Sequence, residues 1–103
     1  MSPREIIKRH LRAEGLTPAE VAEVKFYTPK AWRDRGETYG RDSKLVVLHE
    51  GGNSRVLSMT GAYNYGNGGS ECYDAYERLV EKLRENGYWI EEMYSWASAV
   101  YAN

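Results

Sequence analysis

Residues 70–86 carry the pattern that most constrains the fold. Cys72, Tyr73, Tyr76, Leu79, Val80 and Leu83 recur at three- and four-residue spacing, while Asp74, Glu77, Arg78, Glu81, Lys82 and Glu85 fill the opposite side. That is a helix with one apolar and one wet face. Ser70 is suited to cap its start, Glu71 and Asp74 place negative charge at the positive end of the dipole, and Gly87 supplies a left-handed stop. Such a helix needs a partner surface, and a sheet is the expected one.

The strand candidates lie on either side of it. The run Lys44-Leu45-Val46-Val47-Leu48-His49 is apolar through its middle, so it reads as a central strand buried on both faces. Glu50-Gly51-Gly52-Asn53 then reads as a hairpin, returning through Arg55-Val56-Leu57-Ser58-Met59-Thr60 as an antiparallel neighbour. Val24-Lys25-Phe26-Tyr27-Thr28 alternates as a strand that Pro29 confines to an edge. After Gly87 the helical and strand patterns compete. Aromatic and β-branched content, and the ease of returning to the sheet after Asn86-Gly87, favour a strand.

The chain opens with two capped helices. Ser2-Pro3-Arg4-Glu5 and Thr17-Pro18-Ala19-Glu20 are both capping boxes with proline at the first helical position, and Gly15 between them makes a corner. The expected fold is therefore α+β, in the order α-α-β-β-β-α-β. An antiparallel sheet of about four strands carries an N-terminal helical corner and one long amphipathic helix. The 103 residues make a single domain, large enough to hold a core without metal or disulfide.

Composition narrows the function. Fourteen basic residues against fifteen acidic ones leave a net charge of −1, so no global field recruits nucleic acid or anionic membrane. No apolar run approaches the ~20 residues of a membrane span, and the N-terminus reads as a charged helix, so a cytoplasmic protein is expected. Cys72 falls on the apolar helix face as a structural thiol. His10 reads as a hydrogen-bonded histidine at the edge of an apolar stripe. His49 beside Glu50 lacks the second ligand or base that metal or acid–base chemistry needs. No paired carboxylates, metal-ligand series or nucleophile–base set stands out, so the chain reads as a non-enzyme without cofactor or metal.

The aromatic set is dominated by Tyr 9 and Trp 3 against Phe 1, the rings that tolerate a half-wet position. Two stretches present them between glycines and charges. Residues 29–42 contain Trp32, Arg33, Arg35, Tyr39 and Arg41, and residues 61–69 contain Tyr63 and Tyr65. Both read as long loops of the kind used in recognition. The glycines of the second could also cradle a phosphate at a helix N-terminus, but the lysine of a P-loop is missing and Glu71 and Asp74 hold that end. The expected partner site is Trp32, Tyr39, Tyr63 and Tyr65 as anchors with Arg33, Arg35 and Arg41 at the rim.

Two resemblances bear on the partner. Gly15-Leu16-Thr17-Pro18-Ala19-Glu20-Val21-Ala22-Glu23 resembles the opening of a helix-turn-helix DNA-binding unit, which makes residues 29–35 its recognition helix and nucleic acid the alternative partner. The departures are Phe26-Tyr27 where such families favour glycine, and Trp32 as the one sizeable inward residue of that helix. Val46-Val47-Leu48-His49-Glu50-Gly51-Gly52 and the stretch from Trp96 to Tyr101 resemble small uncharacterised accessory proteins of phages and mobile elements. That resemblance implies a compact module that binds a host protein, including inhibitors of defence systems such as anti-CRISPRs.

Overall fold

In the computed structural model, which describes residues 1–66, 68, 69 and 71–103, helices pack on both faces of a four-stranded antiparallel sheet. The elements run α1 (Pro3–Ala13), α2 (Pro18–Glu23), β1 (Lys25–Tyr27), α3 (Pro29–Asp34), β2 (Leu45–Leu48), a 3-10 helix (Gly51–Val56), α4 (Met59–Tyr65), α5 (Asp74–Glu85), β3 (Tyr88–Tyr94) and β4 (Ala97–Ala102). The strands lie in the order β1-β2-β4-β3, so β2 and β4 are central. The α+β class and the four-stranded antiparallel sheet are those the sequence predicts.

The first face of the sheet holds the main core. Phe26, Val47 and Leu45 on β1 and β2 share it with Val100 and Ile90, and α1 and α5 cover it with Ile6, Ile7, Leu11, Leu79 and Leu83. Both caps form, but only Thr17–Glu20 closes the reciprocal box; at Ser2 the hydroxyl, not the backbone N–H, donates to the Glu5 carboxylate. Ser2 Oγ accepts the Glu5 N–H at 3.2 Å, and Thr17 Oγ1 accepts that of Glu20 at 3.2 Å while the Glu20 carboxylate accepts from Thr17 N. His10 is fully buried against this core, its Nε2–H donating to the Val56 carbonyl at 3.0 Å.

Four expectations are corrected. Residues 55–60 are not a strand: Gly51, with φ +65°, turns the chain into the 3-10 helix, and α4 follows from a Ser58 cap whose Oγ accepts the Gly61 N–H at 2.9 Å. Consecutive Val56 and Leu57 are both buried, which a helical turn permits and a strand with one wet face does not. The fourth strand comes instead from the C-terminal segment, where one expected strand is a hairpin, β3–β4, with a register shift between Glu92 and Tyr94. Residues 29–34 are a helix, because Thr28 Oγ1 accepts the Ala31 N–H at 3.1 Å ahead of Pro29. The amphipathic helix begins at Asp74 rather than at residue 70, leaving half-buried Cys72 ahead of it; the Ser70 cap lies outside the described residues.

The second face of the sheet is covered by α3. Val46, Ala97 and Ala99 are buried on this face, and Trp32 packs there beside Tyr27 and Trp96. This arrangement also corrects the helix-turn-helix reading. Strand β1 intervenes between α2 and α3, Ala22 is exposed, and α3 packs through Trp32 on the sheet rather than on α2.

Gly61 marks the tightest approach between elements. A Cβ there would overlap the backbone carbonyl of Ser54, which cannot rotate away. Gly61→Ala is therefore expected to destabilise by about 1–3 kcal/mol from overpacking, outweighing the ~1 kcal/mol that alanine gains over glycine in a helix. A rise in the thermal midpoint of the variant would contradict that packing.

Candidate functional site

The second sheet face carries a continuous row of rings. Tyr27 meets Trp32 edge-on with centroids 5.7 Å apart, Trp32 lies 6.4 Å from Trp96, Trp96 stacks on Tyr94 at 4.9 Å and 10°, and Tyr94 meets Tyr39 edge-on at 6.1 Å. Strand register explains the row. Tyr27 opposes Val46 on the face that Ala97 and Ala99 share, and Tyr94 opposes Ala97 beside the Ser95-Trp96 turn. Small residues in the centre leave room for large rings above them.

Trp32 differs from its neighbours in being 0% exposed. Its Nε1–H donates to the Tyr39 carbonyl at 2.6 Å, tying α3 to the segment that carries Tyr39. Arg33 Nη1 donates to the Arg41 carbonyl at 2.9 Å, Ser43 Oγ donates to the Gly40 carbonyl at 2.6 Å, and the Arg35 guanidinium sits 5.0 Å from the centroids of both Tyr27 and Trp32. Residues 35–44 are thus strapped to the sheet despite having no regular structure. Gly40 has φ +77°, which strains any residue with a side chain, and a Cβ there would also displace the Met93 thioether.

The expected site residues separate into three groups. Tyr39 is 63% exposed and Trp96 38% exposed, and Arg33, Arg35 and Arg41 are exposed on the stretch that carries Tyr39. Trp32 is the scaffold beneath them, which corrects its assignment as a contact anchor: an indole with no accessible surface supports a contact without making it. Tyr63 and Tyr65 are exposed but sit on α4 rather than in a loop. Tyr65 faces Trp96 across a cavity, whereas Tyr63 lines a separate depression with Cys72 and Tyr73. Tyr94, Trp96 and Tyr101 join this surface without being among the residues the sequence predicts for it. The signal for them is the aromatic density of residues 88–101, blurred by the competing helical and strand periods.

The cavity between Trp96 and Tyr65 has a volume of about 580 Å³ and is lined further by Glu23, Lys25, Glu50, Thr60, Asn64 and Ser95, with buried His49 and Ser54 at its inner end. His49 Nδ1 lies 2.8 Å from Ser54 Oγ and Nε2 lies 3.1 Å from Ser98 Oγ. This resembles a nucleophile and its base in distance alone. Burial pushes His49 down to about 4, against the opposing influence of Glu92, so it is neutral at pH 7 and a poor proton acceptor for a hydroxyl. Its outer partner is a hydroxyl, not a carboxylate that would stabilise an imidazolium. The geometry is that of a core tie joining β2, the 3-10 helix and β4.

Glu92, on the same sheet face as Ser98, accepts from Thr60 N at 3.1 Å and Thr60 Oγ1 at 2.7 Å, pinning α4 to β3. No group of three or more His, Cys, Asp or Glu side chains among the described residues is placed to hold a metal ion. Among those residues no helix is long and apolar enough to cross a membrane. No family model, curated protein or solved structure matches the chain.

Proposed function

We propose that the protein is a non-enzymatic binding module that grips a partner protein with the aromatic row of its second sheet face. Tyr39, Tyr94 and Trp96 form the centre, Arg33, Arg35 and Arg41 the rim, and Tyr65 the far wall of the adjoining cavity. The observation that carries this reading is the exposure of Tyr39, on the segment after α3, and of Trp96, in the β3–β4 turn, both packed against the ring of Tyr94 at the end of β3. Tyrosine, tryptophan and arginine are the residues that dominate interface energetics. Rings already ordered by stacking lose little freedom on binding.

The resemblance of residues 46–52 and 96–101 to mobile-element accessory proteins supports a host protein as the partner, in the manner of an inhibitor of a defence component. Nucleic acid is less well supported, because Glu37, Asp42 and Glu91 are interspersed with the arginines.

Capture from a nuclease-treated bacterial lysate tests the proposal. One host protein is expected to be retained, and Tyr39→Ala with Trp96→Ala is expected to weaken the purified pair at least tenfold, about 1.4 kcal/mol, with the circular dichroism spectrum unchanged. Tyr63→Ala is expected to leave it within twofold. Steeply salt-dependent binding to duplex or single-stranded DNA, with no protein captured, would overturn the proposal in favour of a nucleic-acid ligand.

A further inference from the structure

Beside the aromatic row is a small cavity of about 230 Å³ lined by Tyr39 and Tyr101, with Gly40, Glu91, Glu92 and Met93 completing its wall; the Glu92 carboxylate is engaged by Thr60. Tyr101 is held by Trp89, stacked on it at 4.4 Å and 19°. Glu91 opposes Ala99 on this face and is exposed, and neither it nor nearby Asp42 is ion-paired among the described residues. Burial chiefly, and then the charges of Glu91 and Asp42, raise the Tyr101 hydroxyl above its ordinary value, so both carboxylates lie within electrostatic reach of it. No lysine or arginine lines the cavity.

We infer that this cavity receives a basic side chain, lysine or arginine, from the partner protein, with the tyrosine rings of Tyr39 and Tyr101 flanking the cation and Glu91 neutralising it. A cation over an aromatic face is attracted by the ring quadrupole, and a carboxylate at the same place adds a direct charge pair. The volume lies below the roughly 300–1,000 Å³ of sites that enclose a drug-sized ligand, and so suits the end of one side chain. The Met93 thioether offers the methylene stem an apolar, polarisable wall. Donation of the side chain by the partner rests on the aromatic face being the partner surface; the affinity of the cavity for a cation does not.

The test therefore uses small cations and no partner. In two-dimensional amide NMR spectra, n-butylammonium and n-butylguanidinium are each expected to give saturable shifts at Tyr39, Gly40, Glu91 and Tyr101 at millimolar concentration, with 1-butanol at matched ionic strength giving none. Glu91→Gln is expected to weaken the apparent affinity at least threefold. Equal shifts with 1-butanol, shifts centred elsewhere, or an affinity indifferent to Glu91→Gln would overturn the cation site. If the cations bind as expected, Glu91→Lys is expected to weaken the captured host protein more than tenfold, and exposed Asp34→Lys on α3 less than twofold. Retention of full affinity by Glu91→Lys would overturn the assignment of the basic residue to the partner. Failure to capture any partner would count against the aromatic-face reading alone.

Discussion

Replacing Trp32 with alanine is expected to cost the fold about 3–5 kcal/mol, the range for emptying a fully buried large aromatic site. The loss has three sources. The indole is the fully buried side chain of α3, its Nε1–H satisfies the Tyr39 carbonyl at 2.6 Å, and its ring supports both Tyr27 and Trp96. Removing it leaves a cavity and frees residues 35–44 from their strongest tie. Chemical unfolding measured at equilibrium checks the size. A cost below about 1 kcal/mol would mean that the indole is not the filler of the second face. Loss of partner binding in this variant would accompany loss of structure, so the surface is properly probed at Tyr39 and Trp96.

The second large effect is acid sensitivity. His10 and His49 are both buried, and burial holds each down to about 4, with the ammonium of Lys82, 3.4 Å from His10 Nδ1, adding to the depression at His10. An unfolded chain protonates these rings near their ordinary 6.5. As pH falls from about 6.5 towards 4, protons thus bind the unfolded state in preference, and stability is lost across that window. Above it the contribution is complete, and below about 4 both states are protonated. A depression from 6.5 to about 4 corresponds to about 3 kcal/mol for each ring at 1.36 kcal/mol per pH unit.

Glu20, held down to about 2 chiefly by the hydrogen bond from Arg55, and Glu14, lowered chiefly by that from Arg78, add a further loss that begins as pH falls through the ordinary carboxylate value of 4.5 and continues into acid. Urea unfolding at pH 7, 5.5 and 4 is expected to show a fall of several kcal/mol, already under way at pH 5.5, above the range in which carboxylates protonate. A stability that stays level down to pH 4 would contradict the neutral, buried state of both histidines.

Much of the frame can be read locally. The Ser2, Thr17 and Thr28 caps each sit three residues before the amide they accept, and each is followed by proline. The four apolar residues of β2 announce a central strand. Residues 51–65 are misread because Val56-Leu57-Ser58-Met59 alternates well enough for a strand. What decides otherwise is non-local: Gly61 packs onto the Ser54 backbone, and Val56 and Leu57 are buried together. That misplaced strand is offset by the hairpin in residues 88–102.

The candidate site is half legible. Residues 33–41 form one surface as their composition suggests, but Trp32 stands among Lys30, Arg33, Asp34 and Arg35 and so reads as exposed. Helical geometry places those charges outward and the lone indole inward. Trp96 escapes notice for the opposite reason, since its exposure depends on a turn between strands whose existence the periodicity leaves open.

Amide hydrogen–deuterium exchange of the protein alone and with its captured host protein tests the aromatic grip most directly. Protection is expected over residues 35–44 and 93–97, with α1 and the outer side of α5 unchanged. Protection confined to α1 and α5, with those two segments exchanging as in the free protein, would contradict it.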